Sequence, residues 1–70
     1  MGHINTNEII TLRYDKLIDD LETDRAWCFV IDHRMIFLPK SLVQDINEID
    51  KEVDVPQWLV EKEGLESYEV

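Results

Sequence analysis

Few residues in this chain have both the type and the spacing for chemistry. Cys28 and His33 lie five positions apart and could be imagined as nucleophile and base. However, Cys28 sits inside an apolar run and His33 in the polar triplet that follows it. A core cysteine and a turn histidine account for both more simply. Ser41 has no histidine at a matching position, and glycine occurs only at positions 2 and 64, so no glycine-rich phosphate cradle exists. His3, His33 and Cys28 show no zinc-ligand spacing, and no cofactor is implied. Paired carboxylates are abundant. Glycosidase-type work by such a pair would need a cleft that so short a chain hardly provides. No catalytic residue is assigned, and the chain reads as a non-enzyme.

Charge is the stronger signal. Sixteen acids against seven bases give a formal charge of −9. The first 44 residues hold seven acids and five bases, a net of −2; the remaining residues hold nine and two, a net of −7. Nucleic-acid binding depends on lysine and arginine displacing counterions from phosphate, and this excess has the wrong sign. Anionic membranes are disfavoured for the same reason. A cationic protein partner is favoured, with salt-sensitive encounter. Asp45, Glu48, Asp50, Glu52, Asp54, Glu61 and Glu63 are the candidate binding residues. Spaced along a strand and helix, they would imitate a phosphate track and enter the basic groove of a nucleic-acid-handling protein. The simpler reading is a solvated acidic surface that maintains solubility.

The elements that must position these residues centre on Ala26–Ser41. Two short runs, Ala26–Ile31 and Met35–Leu38, flank Asp32-His33-Arg34. Both are rich in aromatic and branched residues and predict a β-hairpin. The turn lacks glycine, so a type that tolerates Asp and His is expected. Ala26–Ile31 is apolar on both sides, as befits a central strand. Pro39 should end the partner strand, leaving Lys40 solvated in the turn beyond. Trp27, Phe29, Phe37 and Trp58 read as core, Tyr14 and Tyr68 as surface contacts.

Upstream, Ile9–Tyr14 predicts a first strand. Leu17, Ile18 and Leu21 suit one face of a short helix over 15–24 with Asp15 as its N-cap; an extended arm is the alternative. Downstream, Leu42-Val43 leads into a polar turn, and Glu48–Lys51 reads as a turn. Glu52–Val55 alternates, with Val53 and Val55 inward and Glu52 and Asp54 in solvent. Pro56–Glu63 predicts a two-turn helix with Pro56 in its first position, closed by Gly64 in the left-handed conformation. Val60 and Leu65 should make the accompanying apolar contact, with Trp58 and Leu59 docked on the sheet.

Three segments resemble a pattern found in small phage- and prophage-encoded proteins. They are Phe37-Leu38-Pro39-Lys40-Ser41, Val55-Pro56-Gln57-Trp58-Leu59 and Lys62-Glu63-Gly64-Leu65. That family carries a Trp-x-Pro-Lys-Ser turn, then a Val-Pro-x-Trp-Leu helix start ending in Gly-Leu. Phe37 stands in place of the tryptophan. The resemblance spans Arg25 to Leu65 and implies a mobile-element origin and a β core with one short helix, which argues against a helix over 15–24. It carries over no functional residue.

Together these observations imply a mainly β (α+β) fold: a small, bent antiparallel sheet or partial barrel closed by a short C-terminal helix. The expected organisation is a flexible start over 1–8, one domain over 9–65 and a mobile acidic tail over 66–70. Met1–Thr6 matches the permissive N-myristoylation pattern, here a chance match without the second, basic signal. No run approaches the ~20 apolar residues that span a bilayer. With one unpaired cysteine, a cytoplasmic setting, that of the host cell, is expected. The leading functional expectation is a phage-type inhibitor that binds a host defence protein through its acidic face. The alternative is a small homodimeric adaptor, self-associating through Trp27 and Phe37.

Overall fold

The computed structural model describes residues 8–70. The expectations for residues 1–7, the myristoylation match included, lie outside the described residues. The chain is mainly β, and its strands run β1 (Ile9–Arg13), β2 (Lys16–Leu17), β3 (Ala26–Ile31), β4 (Arg34–Pro39), β5 (Asp45–Asn47) and β6 (Glu52–Pro56). Among the described residues one α-helix, α1 (Gln57–Glu63), follows. The strands form two three-stranded antiparallel sheets, ordered β1-β6-β5 and β2-β3-β4. They do not close into a barrel.

Register explains the shared core. In the first sheet Ile10 pairs with Val55, and Leu12 with Val53, which also faces Ile46. Side chains directly opposite share a face, so these residues point inward together. In the second sheet Trp27 pairs with Leu38, and Phe29 with both Ile36 and Leu17. Leu12, Phe29, Leu38, Val53, Val55, Val60 and Leu65 are fully buried in one cluster. Tyr14, expected on the surface, is buried too, its ring edge-on to Phe29 at 4.8 Å between centroids.

The hairpin forms where the apolar runs place it. Its connection is two residues long, Asp32 and His33, at φ 54° and 67°. Two successive positive φ values mark the turn whose twist matches a hairpin, normally favouring Asn-Gly. The turn is thus a type that favours glycine but here accepts Asp and His. Asp and His are among the few non-glycine residues that enter this region with any frequency. Asp32 is further held by donating its N–H to Asp15 Oδ2 at 2.9 Å.

Residues 15–24 form no α-helix. Lys16 and Leu17 pair with Val30 and Phe29, Ile18 N–H donates to Cys28 O at 2.9 Å, and a single 3-10 turn follows over Asp19–Leu21. The open edge of β3 captures this segment, and Asp15 serves the hairpin turn instead of capping a helix. Helical spacing is a weak prior, and long-range strand pairing overrides it here.

At the C-terminal end Pro56 occupies the capping position rather than the first helical one, at φ −65° and ψ 146°. Its missing N–H forfeits no intrahelical bond. Gly64 adopts φ 70° and ψ 40°. Leu65 N–H donates to Val60 O at 2.9 Å and Gly64 N–H to Glu61 O at 3.2 Å, the paired bonds of a Schellman cap. Val60 and Leu65, both fully buried, make the expected contact. The tail is held rather than loose. Glu66–Tyr68 forms a 3-10 turn, Glu69 bridges to Leu12, and Val70 N–H donates to Thr11 O at 2.9 Å. The tail thus covers the β1 edge that β6 leaves open.

Candidate functional site

The candidate acids separate into groups. On β6, Glu52 and Asp54 alternate with the inward Val53 and Val55, so they share the outer face. Asp45 on β5 lies directly opposite Asp54, and Asn47 opposite Glu52. Across the other edge, Thr11 and Arg13 of β1 face Asp54 and Glu52. Three of the seven carboxylates thus share one sheet face. Glu52 and Asp54 are half-buried rather than fully solvated. Thr11 Oγ1 donates to Asp54 Oδ1 at 2.6 Å, and Arg13 pairs with Glu52 at 3.2 Å.

Glu48 and Asp50 occupy the loop between β5 and β6, at the end of that face. Asn47 organises the loop: its Oδ1 accepts the N–H groups of Ile49 and Asp50 at 3.1 and 3.0 Å, and its Nδ2 donates to Asp50 Oδ2 at 3.2 Å. An asparagine that bonds the backbone two and three residues on is a local turn maker. Between the two acids Ile49 is 92% exposed. Its sequence signal is an aliphatic residue inside an acidic turn. Glu61 and Glu63 lie on α1. At about 100° per residue, two positions separate their directions by roughly 200° around the helix. Glu61 also accepts from Gln57 Nε2 at 3.2 Å.

A second feature had no local signal. A cleft of about 1050 Å³ opens where the hairpin turn, the β1–β2 junction and the tail meet. Val30 and Ile31 contribute to its lining, together with Arg13, Lys16, His33 and Tyr68. Tyr68 O–H donates to Asp32 Oδ2 at 2.5 Å. This bond raises the phenol above its ordinary value, helped by desolvation and the carboxylate's charge and opposed by Arg34. The bond ties the tail to the hairpin turn and acts as a latch between them.

The remaining chemistry-bearing residues are dispersed. Cys28 is fully buried, where thiols are inert, while His33 is exposed on the turn. Lys40 is not simply solvated: it pairs with Glu22, and its ammonium sits 4.5 Å from the centroid of the Trp27 ring. Trp27 and Phe37 cannot form one surface. Trp27 pairs with Leu38 on the inner face of its sheet, and Phe37 with Cys28 on the outer face. Among the described residues no helix is long and apolar enough to cross a membrane. Compared with family models, curated proteins and solved structures, the chain gives no match in any of the three.

Proposed function

We propose that the chain is a non-catalytic protein-binding module of the phage-inhibitor type, working in the host cytoplasm. Its outer β1-β6-β5 face, with Asp45, Glu52 and Asp54, seats in a basic groove of a nucleic-acid-handling defence protein. Glu48 and Asp50 extend the face, and Ile49 supplies an apolar anchor at its end. The observation that carries this reading is the in-register opposition of Asp45 and Asp54. Like charges directly across a strand pair are destabilising. Solubility alone needs no such pair, because the same charges could sit apart. A face that must present closely spaced anions to a cationic partner does need it.

Reversal of Glu52 or Asp54 to lysine would disturb the fold, since Arg13 and Thr11 face them. Neutralisation of Asp45, Glu48 and Asp50 to Asn, Gln and Asn preserves shape. The expected result is a host protein retained by the native chain, displaced by duplex DNA and by salt, and not retained by the neutralised chain. Retention indifferent to these substitutions, or to competing DNA, would reject the proposal.

A further inference from the structure

The outer edge of β4 points to a second copy of the same chain. Lys40 N–H donates to Arg25 O at 2.7 Å, continuing the β3–β4 ladder past Pro39. Backbone groups alternate in direction along a strand, so this bond sets the parity. Arg34, Ile36 and Leu38 direct their N–H and C=O toward β3. Met35 and Phe37 direct theirs away from it. Among the described residues no strand lies beyond β4. The next outward position, Pro39, has no N–H, and its carbonyl already accepts from Leu42 and Val43 at 3.0 and 3.2 Å. The edge therefore offers two donor–acceptor sets, bracketing Ile36.

We propose that two copies pair antiparallel through β4 about a twofold axis at Ile36. Met35 of each then lies opposite Phe37 of the second copy, in four hydrogen bonds that use every outward group at these two positions. The side chains agree. Met35 and Phe37 are 60% and 47% exposed on the outer face, and the pairing sets each sulfur beside a ring. Ile36 meets Ile36 of the second copy on the inner side, and Arg34 meets Leu38. Along this register no like charges are opposed; Asp32 comes into line with Lys40 of the second copy, which already pairs with Glu22 of its own chain.

Charge distribution favours this occupant. A chain of net charge −9 must approach its own copy where carboxylates are absent. β4 contains none, and neither do Ala26, Cys28 and Val30 beside it on the outer face. A long apolar strand edge left open is a liability that proteins normally blunt with lysine or proline; here Pro39 limits the ladder to the length a twofold pair uses. The dimer is joined by a six-stranded β2-β3-β4 sheet and carries one copy of the acidic face on each of its two β1-β6-β5 sheets. The inference is independent of the acidic-face reading, because the two surfaces lie on different sheets.

The test is sedimentation equilibrium of the native chain over about two decades of concentration, with hydrogen exchange at both ends. The expected mass rises toward twice the monomer's. The Met35 and Phe37 amides should gain protection with concentration, while those of Ile36 and Leu38 stay protected throughout. Added salt should strengthen the dimer by screening the net charge. Met35→Lys and Phe37→Lys, each checked for native tryptophan fluorescence, should raise the dissociation constant at least about tenfold. A monomer at every concentration would overturn the proposal. So would a dimer that leaves the Met35 and Phe37 amides unprotected, a readout that needs no variant.

Discussion

At the scale of single residues, the backbone is most demanding at positive φ. Gly64 sits at φ 70° with no atom within 4 Å of the place a Cβ would take. The site has room, so the penalty for Gly64→Ala is conformational. It should cost about 1 kcal/mol in urea unfolding. His33 at φ 67° presents the opposite case: His33→Gly relieves strain in the turn and should raise the urea midpoint. Two tyrosines link stability to pH. Burial, and next the Glu48 carboxylate, raise Tyr14; the bond to Asp32 first raises Tyr68. A folded-state value above the unfolded 10.0 means that the native state holds its proton longer. The stability is complete below the unfolded value and declines as pH rises through the folded ones. Urea midpoints should therefore fall above roughly pH 10, and Tyr68→Phe should flatten part of that slope.

Elements in this fold are too short to stand alone, and what they contact decides their state. α1 has seven residues and is held by its cap and by the buried Leu59 and Val60. β2 has two residues and exists because β3 presents an open edge. The β5–β6 pair carries the Asp45–Asp54 opposition, which predicts a trade between stability and function. Asp45→Asn should stabilise the chain by about 0.2–1 kcal/mol while weakening partner binding, both measurable on one protein preparation. The tail closes the β1 edge with one backbone bond and one bridge, and the Tyr68 latch ties it to the hairpin turn. Its order is a property of β1 and the hairpin turn, not of its own acidic sequence.

For the whole molecule, size and charge set the margins. A 70-residue chain buries only about 60% of its unfolded surface, and its core supplies about 3–5 kcal/mol. Phe29 is fully buried at the centre of the cluster against Tyr14. Phe29→Ala, at about 3–5 kcal/mol, should leave the chain largely unfolded at room temperature, visible as lost near-ultraviolet dichroism. The net charge of −9 opposes compaction through self-repulsion. Moderate salt should thus raise the thermal midpoint while it weakens any partner held by the acidic face.

Several features were legible in the sequence because their signals are local. Two apolar runs around a polar triplet encode the β3–β4 hairpin. Alternation encodes β6, and Val60, Gly64 and Leu65 encode the end of α1, since this helix cap is built within six residues. Tertiary structure decided what depends on distant partners. Leu17 has helical neighbours in sequence but lies opposite Phe29 in space. Tyr14 is hidden by Phe29, and the tail is ordered by Thr11 and Asp32. The acids of the last third looked like one track; strand register gathers Asp45, Glu52 and Asp54 on one face, and helical geometry turns Glu61 and Glu63 apart. Side-chain direction follows from pairing between distant residues, such as Thr11 and Asp54, 43 positions apart, and no short window of sequence contains both members of such a pair.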